Sequence, residues 1–327
     1  MANLVIASDY SRFPQRPSAA LLLEVHGNRG HKSLFDSTTP PGPAVDAFLP
    51  TAQLDPTRTK EFLMASTGTI RHLWALEAPA ITVHRSVIQL LADGDITIPS
   101  ATFVIEHPRH GLLAFDTGLA IDAAGDPHHA YGQMADVFPI DFPESRRLDR
   151  QLADLGFTTG DVKRVVLSHG HWDHTGGLAH FPDAEGFVGA GELDYVHRPG
   201  RQDAAMFRTS DLDGGPQTWH AVPAGVDHDV FGDGSVVVLS LPGHTVGTLG
   251  LQLRFPDGRT FVLTGDAAHL QEALALDAGM PFDVDPRIKR TSYQRLRLLA
   301  SQPDTTVWVN HDPRDWATHR ENGALVI

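Results

Sequence analysis

Four ionisable side chains fall within six consecutive positions of this 327-residue chain. The segment RVVLSHGHWDHTGG begins as an apolar run and then places His169, His171, Asp173 and His174 side by side. Burying such groups without a partner is unfavourable, because imidazole and carboxylate groups lose their hydration. Both groups are common metal ligands, so the types and spacing of these residues predict a metal-binding site.

Three further candidate ligands follow apolar segments later in the chain. His244 ends SVVVLSLPGH, Asp266 ends RTFVLTGD, and His311 follows TTVWVN. In α/β proteins, the loops at the carboxyl ends of strands direct side chains into one cleft. The sequence therefore predicts one cluster of five histidines and two aspartates at the ends of four strands.

Seven nitrogen and oxygen ligands exceed the three or four that one zinc ion binds, so they predict two adjacent divalent transition-metal ions. One ion is expected to bind the first ligand group, His169, His171 and His244. The other ion is expected to bind the second ligand group, Asp173, His174 and His311. Asp266 is the expected bridge, because one carboxylate has two oxygens. Ligation without sulfur fits Zn²⁺ and also suits Fe, Co or Mn.

Segments with strand and helix patterns precede and follow these residues in the sequence, in two groups. Apolar, β-branched segments predict strands at 81–91, 162–168, 235–244, 248–255, 259–266 and 305–312. Leucine spacing predicts a helix over 144–156, and Thr291 with Gln294 has the spacing of a capping box, which predicts a helix over 291–302. This alternation is typical of an α/β protein with helix-covered sheets in two related halves.

Composition excludes several classes of function. The net charge is −14 without a basic block, and such a surface repels phosphate backbones, so we expect no nucleic-acid partner. No apolar run approaches the ~20 residues of a membrane span. The first ten residues lack the features of a signal peptide, which predicts a cytoplasmic protein. The chain has no cysteine, which excludes disulfides and thiolate metal sites.

Residues 1–63 differ in composition from residues 64–327. They contain seven of the 23 prolines and have six basic and six acidic residues, whereas the rest of the chain carries the whole net charge. We expect residues 1–63 to be a loose or accessory extension and residues 64–327 to form the domain that contains the metal site. Two alternatives remain for the extension. Either Met64 is the start of the working protein and residues 1–63 are not part of it, or the extension is an accessory arm that packs on a partner subunit in a homodimer.

The motifs resemble the signature of the metallo-β-lactamase superfamily over about residues 69–312. The order of FDTG (115–118), VFGDGSVVVLSLPGHTVG (230–247), LTGDAAHL (263–270) and NHDPRDW (310–316) is similar to that of the N-acyl homoserine lactonase family. The resemblance implies an αββα four-layer sandwich with a dinuclear site at one edge. It disfavours a class B β-lactamase, because those enzymes lack an aspartate at the position of Asp266.

The resemblance and the ligand set together imply a metal-dependent hydrolase that opens a lactone ring by attack of a metal-bound hydroxide. Asp173 is expected to hold or relay a proton to the leaving alkoxide. Quorum-quenching lactonases have a tyrosine three residues after the bridging aspartate. This chain has His269 there, which we expect to hydrogen-bond the substrate carbonyl. The alternatives are an aryl or alkyl esterase or a phosphotriesterase at the same site, and a metal-binding protein without turnover.

The expected partner is a small lactone or ester, and its binding groove is harder to locate. Trp172 lies inside the metal motif, and residues 126–143 combine aromatic, Met and Pro residues. The residues expected to line an acyl groove are Trp172, Tyr131, Met134, Phe138 and Phe142. An ordinary packed surface loop is the alternative for this segment.

Overall fold

The computed structural model describes residues 68–320. The predicted extension over residues 1–63 and the first residues of the predicted catalytic domain lie outside the described residues. Within residues 68–320, no helix has both the length and the apolar character that a membrane crossing requires.

The described residues contain fourteen strands and nine α-helices. The strands are β1 (His72–Ala75), β2 (Ala80–His84), β3 (Asp95–Pro99), β4 (Phe103–His107), β5 (Gly111–Phe115), β6 (Ile140–Asp141), β7 (Val162–Val166), β8 (Glu185–Gly189), β9 (Thr218–Val222), β10 (His228–Asp229), β11 (Val236–Ser240), β12 (Leu249–Arg254), β13 (Thr260–Leu263) and β14 (Thr305–Trp308). The helices are α1 (Arg85–Ile88), α2 (Pro127–Tyr131), α3 (Met134–Val137), α4 (Leu148–Asp154), α5 (Trp172–Thr175), α6 (Glu192–His197), α7 (Gln271–Leu276), α8 (Pro286–Ala300) and α9 (Pro313–His319).

The first sheet has six strands in the order β1-β4-β5-β7-β8-β9. Strands β1, β4 and β5 are antiparallel, and β5, β7, β8 and β9 are parallel. Strand β7 lies inside the sheet, and helices or a second sheet cover both faces, which explains its apolar sequence. The first of the four ionisable residues, His169, is three residues after the carboxyl end of β7.

The second sheet has five strands in the order β10-β11-β12-β13-β14. Neighbouring strands are antiparallel from β10 to β13, and β14 is parallel to β13. Strands β11, β13 and β14 therefore run in the same direction and end at the same edge of the sheet. His244, Asp266 and His311 follow these three strands, so the topology brings them together.

The two sheets pack face to face between two layers of helices. Phe103 and Phe115 of the first sheet belong to one buried cluster with Leu251 and Trp308 of the second. Leu148 and Leu152 of α4 pack with the outer face of the first sheet. Helix α8 covers the outer face of the second sheet, where the buried cluster contains Tyr293, Leu296, Val262 and Val307. The molecule is an αββα four-layer sandwich, and the predicted fold is confirmed.

A small third sheet covers the edge where the candidate ligands meet. Its strand order is β3-β2-β6, and α1 follows β2 directly. Ile81 and Ile98 of this sheet belong to the same buried cluster as Trp172, which lies within the metal motif. The third sheet therefore forms a wall above the candidate site.

Trp308 gives a direct test of the core between the two sheets. Its side chain is fully buried and meets Phe103 edge-on, with ring centroids 4.9 Å apart. We expect Trp308→Ala to lower the free energy of unfolding by about 3–5 kcal/mol in urea denaturation, because it opens a large cavity. Leu298→Ala is the control, since Leu298 is 66% exposed. Equal effects of the two substitutions would contradict this description of the core.

Candidate metal centre

The first ligand group converges on one point between the two sheets. Nε2 of His244 lies 3.2 Å from Nε2 of His169 and 3.1 Å from Nδ1 of His171. A tetrahedral ion with nitrogen bonds of ~2.05 Å requires ligand atoms about 3.3 Å apart. The three nitrogen atoms therefore have the spacing that a zinc-sized ion needs.

The second ligand group has similar dimensions. Nε2 of His174 lies 3.3 Å from Nε2 of His311. Oδ2 of Asp173 lies 3.6 Å from the first of these nitrogens and 3.7 Å from the second. Two nitrogens and one carboxylate oxygen thus surround a second point.

Asp266 lies between the two ligand groups. Its Oδ2 is 3.6 Å from His169 Nε2 and 3.4 Å from His244 Nε2, and its Oδ1 is 3.3 Å from His174 Nε2 and 2.9 Å from His311 Nε2. Burial raises the pKa of Asp266, but the histidines around it outweigh burial and hold the pKa well below its usual range. Each oxygen of this carboxylate faces one group, which is the geometry of a bridging ligand.

Hydrogen bonds on the outer side of the rings determine which nitrogens face inward. Nδ1 of His311 donates to the carbonyl oxygen of Pro99 at 2.7 Å, because a carbonyl can only accept. Nδ1 of His174 lies 2.8 Å from Oδ2 of Asp116 and donates to it. In the neutral form of both rings Nε2 therefore has the lone pair, as metal-binding histidines require.

This tautomer leaves one buried contact that needs a cation. Nε2 of His311 and Oδ1 of Asp266 are 2.9 Å apart, and Oδ1 has no hydrogen-bond donor among the described residues. When the His311 ring is neutral both atoms are acceptors, so this buried contact requires a positive charge, which either a second ring proton or a metal ion supplies. Burial lowers the pKa of His311, but the Asp266 carboxylate outweighs burial and raises it, so this position attracts positive charge. This contact and the all-nitrogen-and-oxygen donor set both fit a pair of divalent metal ions.

The charges of the two groups support the same fit. Burial lowers the pKa of His169 and His171 well below its usual range, and the neighbouring histidines lower it further. These two rings are neutral and have lone pairs to donate. Burial also lowers the pKa of His174, but the carboxylates of Asp266 and Asp173 outweigh burial and hold the pKa well above its usual value. The second group therefore attracts positive charge.

The loops that carry the first ligand group are tied together by a buried glutamate. Glu192, in α6, is fully buried and accepts the backbone N–H of Gly170 at 2.9 Å and that of Gly247 at 2.8 Å. Gly170 lies between the two histidines after β7, and Gly247 follows the loop of His244. A Cβ at Gly247 would lie 2.8 Å from Cβ of Glu192, so the close approach requires glycine. No motif in the sequence marks Glu192 as part of the site.

An apolar pocket opens onto both ligand groups. Its polar end contains ligands of both groups together with Asp266 and His269. Its apolar walls include residues of β2, β3 and α1, namely Ile81, Val83, Val87, Ile88 and Ile98. No sequence pattern distinguishes these wall residues, because isolated Ile and Val side chains have the same pattern as ordinary core residues.

The residues predicted to contact substrate take different places. Phe138 and Trp172 line the pocket, together with Met206, Met280 and Phe282. Tyr131, Met134 and Phe142 are not among the residues that line it. The Tyr131 ring packs on Trp172 at 4.8 Å, and its hydroxyl accepts the backbone N–H of Ala120 at 2.7 Å. Its hydroxyl is thus used in holding a loop, and its ring supports the pocket from behind.

His269 lies at the polar end of the pocket and is 3% exposed. Its Nε2 is 3.0 Å from Oδ2 of Asp266, and its buried Nδ1 has no partner among the described residues. Burial lowers the pKa of His269 to about 3, so the ring is neutral and has a single N–H. With that proton on Nε2 the ring donates to Asp266, whereas donation from Nδ1 to a substrate requires the other tautomer.

A third set of potential ligands, His107, His110 and Asp233, lies elsewhere. Nδ1 of His107 accepts the backbone N–H groups of Arg109 and His110, and its Nε2 donates to Asp233 at 3.1 Å. Arg109 also binds this carboxylate, at 2.5 Å. Both ring nitrogens of His107 are used and the carboxylate has its own cation, so this set clamps a loop and does not resemble a metal site.

The fold and the site together define a class of protein. A family model described as the metallo-beta-lactamase superfamily matches residues 97–311, and the chain belongs to this superfamily. It is 34% identical over 232 residues to the N-acyl homoserine lactonase AttM of Rhizobium radiobacter, a match that covers 69% of this chain and 87% of that protein. The AttM lactonase of Agrobacterium fabrum matches at the same identity and coverage.

Solved structures share the fold. A mutant of AiiA from B. thuringiensis with N-decanoyl-L-homoserine at its active site has a TM-score of 0.67 and 21% identity, covering 77% of this chain and 97% of that one. AidC, a dizinc quorum-quenching lactonase in complex with a product, has a TM-score of 0.53 and 17% identity, covering 79% and 93%. At these identities the likeness concerns the fold.

Proposed function

We propose that this protein is a metal-dependent hydrolase that opens the lactone ring of N-acyl homoserine lactones. The observation that carries the proposal is the apolar pocket that ends at the two ligand groups. The polar end suits a lactone carbonyl, and the apolar walls suit an acyl chain. The AttM relatives, which are named N-acyl homoserine lactonases, support the same substrate class.

The proposed cofactor is a pair of Zn²⁺ ions, one in each ligand group, with Asp266 as the bridge. Tetrahedral spacing and ligation without sulfur support zinc, and so does the dizinc AidC. When bound, such ions lower the pKa of water and polarise a carbonyl oxygen. The chemistry needs no serine or cysteine nucleophile, in keeping with a chain that has no cysteine.

The side chains around the pocket have separate tasks in this proposal. The Asp173 carboxylate lies at the pocket, where its oxygens can hold a proton and pass it to the ring oxygen as the ester C–O bond breaks. His269 hydrogen-bonds the carbonyl oxygen through Nδ1. Trp172 and the walls of β2 and β3 exclude water from the acyl chain, which strengthens the polar contacts at the other end.

A hydrolysis panel with and without chelator tests this proposal. The panel contains N-acyl homoserine lactones of several chain lengths, simple γ- and δ-lactones, aryl esters and paraoxon. We expect the N-acyl homoserine lactones to have the highest kcat/KM and the chelator to abolish turnover, with recovery on adding Zn²⁺. Faster turnover of an ester or of paraoxon would instead support the esterase or phosphotriesterase alternative. Turnover that persists in chelator would contradict metal dependence.

A further inference from the structure

A buried lysine lies directly behind the first ligand group. Lys289, near the start of α8, is 1% exposed, and a lysine at such a position needs charged partners. Its Nζ donates to Oδ1 of Asp283 at 2.7 Å and to the backbone carbonyl of Asp266 at 3.1 Å. The ion pair is therefore inside the protein and touches the loops of two candidate ligands.

The carboxylate of Asp283 connects this lysine to His244. Oδ1 of Asp283 accepts from Nδ1 of His244 at 3.2 Å, and its Oδ2 accepts the backbone N–H of Met280 at 2.8 Å. With Lys289, the carboxylate accepts hydrogen bonds from three donors. By accepting from Nδ1, Asp283 leaves Nε2 of His244 with the lone pair that faces the first ligand group.

Two backbone hydrogen bonds join the residues before α8 to the loop of His244. The N–H of Val284 donates to the carbonyl of His244, and the N–H of Asp285 donates to that of Gly243, each at 3.0 Å. Gly243 has a φ of +127°, and a Cβ there would lie 2.3 Å from the backbone nitrogen of Lys289. The start of α8 therefore packs directly against the loop of His244, and this close approach requires glycine at position 243.

The carboxylates that contact His174 and His244 differ in their ion-pair partners. Asp116, behind His174, has that histidine as its only ion-pair partner in the described part of the chain. Asp283, behind His244, pairs with both the histidine and Lys289. Asp116 is held instead by the backbone N–H of Ser168 at 2.7 Å, and within residues 68–320 it has no lysine or arginine partner.

We propose that Asp283 and Lys289 are positioning residues that hold His244 in its metal-binding tautomer and thereby set the metal affinity of the first ligand group independently of the second. The proposal rests on the metal-dependent function proposed above. Lys289 acts through Asp283, and Asp283 acts through His244. Neither residue is a ligand.

Stepwise metal affinities test this role without measuring activity. Metal-free protein is titrated with Zn²⁺ in competition with a chelator, which gives two dissociation constants. We expect Asp283→Asn to weaken one of them by roughly 10–100-fold and to leave the other unchanged. The reason is that an amide has one acceptor oxygen, so its N–H₂ group must face either Met280 or both His244 and Lys289, and each orientation leaves a buried donor without an acceptor.

A double variant separates positioning from a merely structural role. Lys289→Met should weaken the same constant, and Asp283→Asn combined with Lys289→Met should weaken it no further than Asp283→Asn alone, because one residue acts through the other. The double variant leaves no unpaired buried charge, so it is expected to fold. Additive losses would overturn the proposed order of action.

Asp233→Asn is the matched control. Asp233 is a hydrogen-bonded carboxylate paired with His107 and Arg109, so its loss should lower the melting temperature and leave both metal constants unchanged. Unchanged constants in Asp283→Asn, or an equal loss in both, would overturn the inference. A parent protein that binds fewer than two Zn²⁺ ions would instead overturn the proposed function, so the two failures are distinguishable.

Discussion

Asp266→Ala is expected to reduce the metal content from two ions per chain to one or none and to lower kcat/KM by roughly 10²-fold or more. The carboxylate faces both ligand groups, with each oxygen within 3.6 Å of two histidine nitrogens. Its removal leaves the repulsion between two cations without compensation and takes one ligand from each. Metal analysis after gel filtration and lactone turnover measure the two effects.

Two controls make this result specific. Asp233→Ala removes a carboxylate whose ion-pair partners are His107 and Arg109, and it should keep both ions. Asp266→Asn retains one oxygen ligand, so its metal content should fall between those of Asp266→Ala and the parent protein. An Asp266→Ala protein that kept two ions and the parental rate would show that Asp266 is not the bridge.

Replacing His269 should separate carbonyl binding from metal binding. If Nδ1 donates to the developing oxyanion, His269→Ala should lose about 10²–10³-fold in kcat. His269→Tyr should retain much of the activity, because a phenol hydroxyl can donate from the same position. Metal content should stay at the parental value in both variants, as measured by metal analysis.

His269 also contacts the candidate bridging ligand, which gives the ring a role other than carbonyl binding. Its Nε2 contacts Asp266, so the ring has a second available role in orienting the bridging carboxylate. Loss of metal in His269→Ala would show that this role dominates and would refute the carbonyl contact. Equal rates for His269→Ala and the parent protein would refute both roles.

The positions of the candidate ligands could be predicted because each follows an apolar strand. Strands β7, β11, β13 and β14 all lie within segments that the sequence predicted, and the superfamily and fold expected from the motifs are confirmed. Strand ends are local in sequence, and parallel strands share an edge. A pattern of this kind therefore conveys three-dimensional proximity even when the ligands are more than a hundred residues apart.

The start of α8 was predicted wrongly. The capping-box spacing at Thr291 and Gln294 predicted a start at 291, but the helix begins at Pro286. Asp285 caps it by accepting the backbone N–H groups of Arg287 and Ile288, and a proline in the first turn needs no hydrogen bond. The cap and proline were the stronger signal. Missing them concealed Lys289, which lies in the omitted turn.

The strand predicted over residues 81–91 was only partly correct. It is a strand only as far as His84, and Arg85–Ile88 form a helical turn. The β-branched residues gave no sign of this change, because Val87 and Ile88 suit either conformation. The turn brings both side chains to the pocket. Pocket walls of this kind depend on contacts between distant segments, which no local pattern records.

Each ligand group takes residues from both sheets of the sandwich. His169 and His171 follow a strand of the first sheet, whereas His244 follows a strand of the second, and the second ligand group is divided in the same way. An ion held by either group therefore acts as a cross-link between the two halves of the fold. Ions that bind only the folded chain add RT ln(1 + [metal]/Kd) to its stability. The supply of metal in the cell would then regulate how much folded protein persists, as well as how fast it works.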